Sequence, residues 1–398
     1  MKQEPKATIV ILNWNGEKFL KENLPSVLDQ TYSNYEILLV DNGSKDISKK
    51  VMLEFKKKNQ KVKILETGSN LGYVGGNNKG MEKVLKENKS DYIVILNNDV
   101  KVDKNWLEIL LGGFRDSAVG ICTSKVLLYY PFVKIKLVAT ETDVQLKDIK
   151  INDLSYFVLE YGNNFYGSGS FVTFPKTLRK GEIYYFAIAY NRSSVNNFNI
   201  SFIGEKLKIQ TLKKEFFIEK STSIKIDCEE EYIIQNAGSM LNRSRMTFDE
   251  RYHLSLNRSI PSGFVDAACG AAMAIRTDLL KRYGLLREKY FMYYEDGELS
   301  YRFQKEGFKT KFVSDAICYH YYMGSHGGKI SSKHIFHGVK NKLWFTRRYF
   351  GLFYYLLFFI KTLARSILFL VQTPFKKEAK ESFVIYLKAL KYSLKKDT

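Results

Sequence analysis

The run Tyr92-Ile-Val-Ile-Leu-Asn-Asn-Asp99 constrains this chain most, because an apolar strand breaks off abruptly into three polar side chains. Apolar residues without alternation suit a strand covered on both faces, and ligands of open α/β sheets bind at the carboxyl ends of such strands. A carboxylate at that edge can hold Mg²⁺ or Mn²⁺ against the diphosphate of a nucleotide. Asn and Asp also close ordinary solvated turns, so the run alone leaves both readings open.

The upstream sequence repeats the pattern. Ala7 to Gly16 is an apolar strand stopping at Asn13, Asn15 and Gly16, followed by a helical spacing of Leu20, Leu24, Val27 and Leu28 around Pro25. The strand Tyr35 to Val40 ends in Asp41-Asn-Gly-Ser44. A helical stretch from Ser48 to Lys58 leads to the strand Val62 to Leu65, and Asn70-Leu-Gly-Tyr-Val-Gly-Gly-Asn-Asn78 opens another helix. This alternation predicts a parallel, doubly wound sheet. Gly72, Gly75 and Gly76 let backbone approach an anion at a helix N-terminus, and they equally suit a tight turn. Neither the Gly-x-Gly-x-x-Gly fingerprint nor a Gly-x-x-x-x-Gly-Lys-Ser/Thr loop is present, which argues against dinucleotide binding and P-loop chemistry.

A second cluster lies far downstream, in Val265 to Arg276 and in Tyr290-Phe-Met-Tyr-Tyr-Glu-Asp-Gly-Glu-Leu-Ser-Tyr-Arg302. Glu295 and Asp296 are expected just before a short helix carrying Leu299, Phe303 and Phe308, walled from water by Phe291, Tyr293 and Tyr294. A carboxylate there can take a proton from a sugar hydroxyl, and it can equally be a plain helix N-cap. Ala316-Ile-Cys-Tyr-His320 reads as a strand ending in an imidazole, either a metal ligand or a buried hydrogen-bonding residue.

Taken in order, these segments resemble the GT-A fold glycosyltransferases of family 2, especially rhamnosyltransferase-like members. The resemblance rests on Asn13-Trp-Asn-Gly16, Asp41-Asn-Gly-Ser44, Asn70 to Asn78, Asn97-Asn-Asp99, Gly270 to Arg276 and Glu295-Asp-x-Glu-Leu-x-x-Arg302, and covers residues 6–130 and 232–325. It implies that Asp41 reads the donor's base, that Asn13 and Asn15 line the nucleotide pocket and that Asn78 flanks it. Asn97 and Asp99 match the ends of the family's Asp-x-Asp motif, with Asp99 as metal ligand and Asn97 beside the ribose. Asn97 stands where the family pattern has Asp, which removes one negative charge. Asp296 matches the general base, Glu295 its neighbour and His320 the histidine that completes the metal site. The implied chemistry is inverting transfer of a hexose, with rhamnose one candidate, from a nucleotide diphosphate sugar to a glycan or lipid-linked acceptor, assisted by Mg²⁺ or Mn²⁺.

The expected organisation is a nucleotide-sugar-binding half over residues 1–133, an inserted β-rich module over 134–231, an acceptor and catalytic half over 232–328 and a basic helical tail over 329–398. In the insertion, Tyr156 to Tyr161, Ser170 to Phe174, Ile183 to Tyr190, Phe198 to Phe202 and Ser223 to Asp227 are short β-branched and aromatic runs, which suggest a small antiparallel sandwich. Its aromatics suit glycan binding and suit a structural or oligomerising module equally well. The tail carries fifteen Lys and Arg against three acidic residues, more than half of the chain's net +20. Its apolar run Tyr349 to Ile360 falls short of the roughly twenty residues needed to span a bilayer. Basic amphipathic helices on an anionic membrane surface are therefore expected, with a helical hairpin packed on the protein, or a spanning segment, as alternatives.

The polar start Met1-Lys-Gln-Glu-Pro-Lys6 leads to the expectation of a chain without a signal peptide, cytoplasmic and peripheral on the inner face of the cell membrane. Cys122, Cys228, Cys269 and Cys318 show no paired spacing and are expected to be reduced and free of zinc. The basic excess sits in an apolar tail rather than on a groove-tracking domain, so nucleic acid is not an expected partner. A homo-oligomer stays open, as do a sugar nucleotidyltransferase and an inactive glycan-binding or scaffold relative.

Overall fold

The apolar runs build the centre of a mixed sheet. β1 (Ala7–Asn13), β2 (Tyr35–Asp41), β3 (Val62–Glu66) and β4 (Tyr92–Asn97) lie parallel in the order β4-β1-β2-β3. Alternate residues feed two cores. Ile9, Ile37 and Val94 pack with Leu20, Leu24 and Val27 of α1 (Glu17–Leu28) and Val51 and Met52 of α2 (Ser48–Lys58). Val10, Leu38 and Ile95 pack on the other side with Val74, Met81 and Val84 of α3 (Gly72–Glu87). Each such side chain withdrawn from water contributes about 1.5–3 kcal/mol, which is why these strands carry no polar alternation. The computed structural model describes residues 4–151, 158–162, 164–165, 170–190, 197–211, 213–225, 231–321, 332–372 and 377–395.

The sheet continues antiparallel on the far side of β4, through Ala272–Arg276, β6 (Val119–Leu128), Ile233–Asn236 and Ser255–Leu256. The strand expected over Ala316 to His320 starts earlier, at Lys309, and runs parallel to β6. Its last residues pair antiparallel with β5 (Val100–Val102), placing His320 opposite Val100. α4 (Trp106–Leu111) buries Trp106, whose indole N–H donates to Ser124 Oγ at 2.9 Å. After α5 (Thr277–Tyr283) comes α6 (Glu295–Lys305), so Glu295 and Asp296 form the first turn of the helix instead of preceding it. Phe308 lies beyond its end.

Between Phe132 and Lys225, the described strands form a six-stranded and a four-stranded sheet, both antiparallel. Ile135, Leu137, Leu146, Ile149, Phe186 and Phe198 share their core, and the alternating burial along Val144–Ile151 matches a strand with one solvated face. These sheets leave the central one just after β6, where the Tyr129 N–H donates to the His320 carbonyl. Cys122, Cys269 and Cys318 are free thiols, and Cys228 lies outside the described residues.

α7 (Ser332–Gln372) bends at Gly351, where φ is 85°, and α8 (Lys377–Ser393) packs back along it. Before the bend, Phe345 is fully buried against Tyr290, Leu299 and Phe303. Beyond it, Leu352, Phe353, Ile360, Leu368 and Val371 are exposed. Lys361 and Arg365 do not interrupt the helix, so the apolar stretch is longer than its sequence run, and α7 has the length and composition to cross a membrane, with a mean hydropathy of 1.7 over its most apolar window.

Candidate active site

The parallel register sets Asn13 opposite Asp41 and Leu12 opposite Asn97, so three candidate residues end adjacent strands in one row. Asn13 is fully buried. Its Oδ1 accepts from Asn98 Nδ2 at 2.7 Å and its Nδ2 donates to Ser44 Oγ at 3.3 Å. A Cβ at Gly16 would fall 2.3 Å from that Asn98 nitrogen, so a side chain there would displace the bond. Asn15 is exposed. Its own N–H donates to Ser44 Oγ and its Oδ1 accepts from the Lys45 N–H, tying the turn after β1 to the turn after β2. The buried Asp41 carboxylate accepts the Ser44 N–H at 3.3 Å. The Asn13 amide is thus bonded to neighbours at the strand end. Asn78 is buried within α3, where its Nδ2 donates to the Leu286 carbonyl at 2.8 Å, fastening the segment before α6, and its Oδ1 has no hydrogen-bond partner among the described residues.

Asp99 and His320 meet. His320 Nε2 lies 3.2 Å from Asp99 Oδ1, and the Tyr321 N–H donates to the Asp99 carbonyl. His320 Nδ1 faces Oε1 of the buried Gln235 at 2.8 Å, and since that oxygen only accepts, Nδ1 carries the proton. His320 Nε2 and the Asp99 carboxylate thus stand side by side, close enough to bind one cation together. One carboxylate and one imidazole, with remaining positions left to phosphate oxygens and water, suit Mg²⁺ or Mn²⁺. Among the described residues no group of three or more His, Cys, Asp or Glu gathers around a metal position, so the donor's phosphates would have to complete the set.

Asp296 reaches the same place from α6. The Asn97 N–H donates to the Ala271 carbonyl, and the N–H of the preceding Gly270 donates to Asp296 Oδ2 at 2.9 Å. One short stretch of backbone therefore touches both the Asn97–Asp99 turn and Asp296. Tyr73, from the glycine-rich opening of α3, donates its hydroxyl to the Gly270 carbonyl at 2.8 Å. Burial, then Glu295, Asp296, Cys269 and Asp99, push the Tyr73 phenol well above its ordinary range, so all four acidic groups act on one hydroxyl.

Burial also raises Asp296 above the usual carboxylate range, opposed by the N–H groups of Gly270 and Gly297. Glu295 is raised much further, by burial first and then by Asp296, and its Oε2 has no hydrogen-bond partner. The pair therefore divides into an Asp296 that ionises first, because two backbone N–H groups hold its anion, and a Glu295 kept neutral.

The backbone just before them is strained, with φ of 63° at Phe291, 66° at Tyr293 and 71° at Tyr294. Left-handed non-glycine residues cost on the order of 1–3 kcal/mol each and persist only where surroundings hold them. Gly72, at φ 74°, permits this path, since a Cβ there would lie 2.3 Å from the Phe291 ring. Below, the fully buried Glu298 accepts from Arg287 Nε at 2.7 Å and Arg302 Nη2 at 3.0 Å, and the Tyr349 hydroxyl donates to it.

Sequence reasoning missed Tyr73, Gln235, Asn98 and Asn341. The legible signal was weak: Gln235 follows the apolar pair Ile233 and Ile234, Asn341 stands between two lysines, and Tyr73 is one aromatic within a glycine loop.

Two stretches of this chain are similar to known protein families. The family model Glycosyl transferase family 2 matches residues 8–177, and Glycosyltransferase like family 2 matches residues 219–337. The chain contains glycosyltransferase family 2 domains on a GT-A fold, a mixed α/β sheet with its candidate site at the strand ends. An uncharacterized glycosyltransferase of Haemophilus influenzae is 33% identical over 104 residues, 26% of this chain and 40% of that protein. Glycosyltransferase GlyG of Streptococcus pneumoniae is 33% identical over 103 residues, 26% of this chain and 33% of that protein. The chain thus spans less than half the length of these relatives. Among solved structures, GalNAc-T7 with UDP, GalNAc and Mn²⁺ superposes with a TM-score of 0.47 at 14% identity, over 87% of this chain and 48% of that one.

Proposed function

We propose that this protein is an inverting, divalent-metal-dependent glycosyltransferase that moves a hexose from a nucleotide diphosphate sugar to a glycan or lipid-linked acceptor. The observation that carries this reading is the Gly270–Ala271 backbone, which donates to Asp296 and accepts from Asn97, two residues before the Asp99 that meets His320. Asp41, at the neighbouring strand end, takes the nucleobase, and Asn97 takes the ribose. Asp99 and His320 hold the cation, which when bound neutralises charge developing on the diphosphate leaving group. Asp296 accepts the acceptor hydroxyl's proton as that oxygen attacks the anomeric carbon. The neutral Glu295 beside it adds no second charge, and the rings of Tyr73 and Tyr294 limit competing water.

The acceptor side faces a membrane in this reading. The exposed apolar residues of α7 and the lysines of α8 suit a helical pair lying in the interface of an anionic leaflet on the cytoplasmic side. Lying along the surface fits better than spanning, because a spanning α7 would draw Lys380, Lys388 and Lys391 of the packed α8 toward hydrocarbon. Rhamnose, from the resemblance of the motifs, is the first donor sugar to try.

A panel of UDP-, GDP- and dTDP-sugars assayed for hydrolysis and transfer with and without Mn²⁺ tests the reading. Mn²⁺-dependent consumption of one donor supports it. Donor binding without turnover against any acceptor extract would favour an inactive glycan-binding relative, and pyrophosphate release from a nucleoside triphosphate and a sugar phosphate would favour a nucleotidyltransferase.

A further inference from the structure

Asn341 lies in the first half of α7 and is fully buried, one turn after His337 and one turn before Phe345. Asn is a poor helix former, and nothing about α7 by itself calls for it there. Its amide nitrogen meets the carbonyls of Tyr290 at 2.9 Å, Met292 at 2.8 Å and Tyr293 at 2.7 Å. The remaining carbonyl of that stretch, Phe291, accepts the Val74 N–H from the start of α3. Successive carbonyls point to protein donors in this way because Phe291 and Tyr293 are left-handed, and one amide from α7 gathers three of them. His337, one turn earlier on α7, stacks on the Phe291 ring at 5.1 Å and 17°. The loop so held runs directly into Glu295 and Asp296.

We propose that Asn341 is a positioning residue for transfer: it fixes the left-handed loop 290–294 so that Asp296 is presented to the acceptor hydroxyl, making the front of α7 part of the catalytic apparatus. The proposal rests on the transferase reading above. It assigns the basic C-terminal helix a role in the reaction itself, separate from any contact its far half makes with lipid.

Asn341→Asp keeps shape but replaces the donor with a group that repels the three carbonyls, and Asn341→Ala removes it. Thr346→Val serves as a control, since Thr346 is buried on the same helix and bonds only the Lys342 carbonyl. Amide hydrogen exchange on the full chain reads the loop without any substrate. Both Asn341 variants are expected to exchange residues 290–297 about tenfold faster or more, with the control unchanged. Calorimetry with UDP and Mn²⁺ is expected to differ less than about twofold from wild type. On the donor that wild type consumes, kcat is expected to fall about tenfold or more with little change in donor KM, and the acidic limb of the pH profile is expected to move. Unchanged exchange in both variants overturns the proposal, as does faster exchange with kcat and pH profile intact. A wild-type protein inactive on every donor overturns the transferase reading instead, while the exchange arm still reports whether Asn341 holds the loop.

Discussion

His320 Nε2 stands 3.2 Å from Asp99 Oδ1 because two strands from distant parts of the chain pair there, with His320 opposite Val100. Gln235, from a third strand, sets the ring by accepting its Nδ1 proton. Partners of this kind usually change metal affinity 10–100-fold. Gln235→Leu is therefore expected to weaken Mn²⁺ binding in the presence of UDP by about that factor. Asp99→Ala is expected to abolish metal-dependent donor binding. Calorimetry with and without Mn²⁺ reads both, and affinities equal to wild type would remove the pair from the metal role.

Asp296→Asn keeps shape and loses the proton acceptor. Donor binding is expected to stay near normal while transfer falls by about 10² or more. Single-turnover assays separate the two, and near-normal transfer would exclude Asp296 as the base.

The two carboxylates also set opposite pH trends. Burial raises Asp296, and the base must be ionised, so kcat/KM is expected to fall with decreasing pH at a higher pH than an ordinary carboxylate would give. Glu295 is raised further, so its stabilising protonated form is fully present below the ordinary carboxylate pKa and is lost as pH rises through the raised value. Thermal melts across pH are therefore expected to show Glu295→Gln gaining on wild type as pH rises. A constant difference would mean that Glu295 holds its proton equally well folded and unfolded, so that burial does not raise it.

Glu298 is fully buried between Arg287 and Arg302. Removing one partner of such a group leaves charge uncompensated, so Glu298→Gln is expected to destabilise the fold by about 3 kcal/mol or more. A shift in the urea midpoint measures this, and an unchanged midpoint would show the arginines to be adequately solvated.

Phe353 and Ile360 are 75% and 62% exposed beyond the Gly351 bend. Flotation with phosphatidylglycerol vesicles is expected to carry the wild-type protein and to weaken with salt. The double substitution F353D and I360D is expected to leave the protein in the soluble fraction, with its melting temperature unchanged. Equal flotation of both forms would place membrane contact elsewhere.

Much of the N-terminal half of the central sheet was legible in the sequence. Unbroken apolar runs identified strands covered on both faces, and the predicted limits of α2, Ser48 to Lys58, coincide with those observed. Such patterns report local burial, which depends on nearby residues alone. Polar residues at the strand ends marked Asp41 and Asp99 for the same reason. The spacing of Leu299 and Phe303 located α6, although not that Glu295 and Asp296 belong to its first turn.

Tertiary pairing decided the rest. Ala272–Arg276 enters the sheet between β4 and β6, which brings Gly270 to Asp296 and Ala271 to Asn97, and no periodicity announces that insertion. Which neighbours a polar residue meets is likewise invisible locally: Asn13 bonds Asn98, Asn78 donates to the Leu286 carbonyl, Gln235 pairs with His320 and Asn341 donates to the loop before α6. Hydrogen-bond partners are set by strand register and helix docking between remote segments, so the amino-acid order specifies which elements form, and only their packing selects which side chains meet.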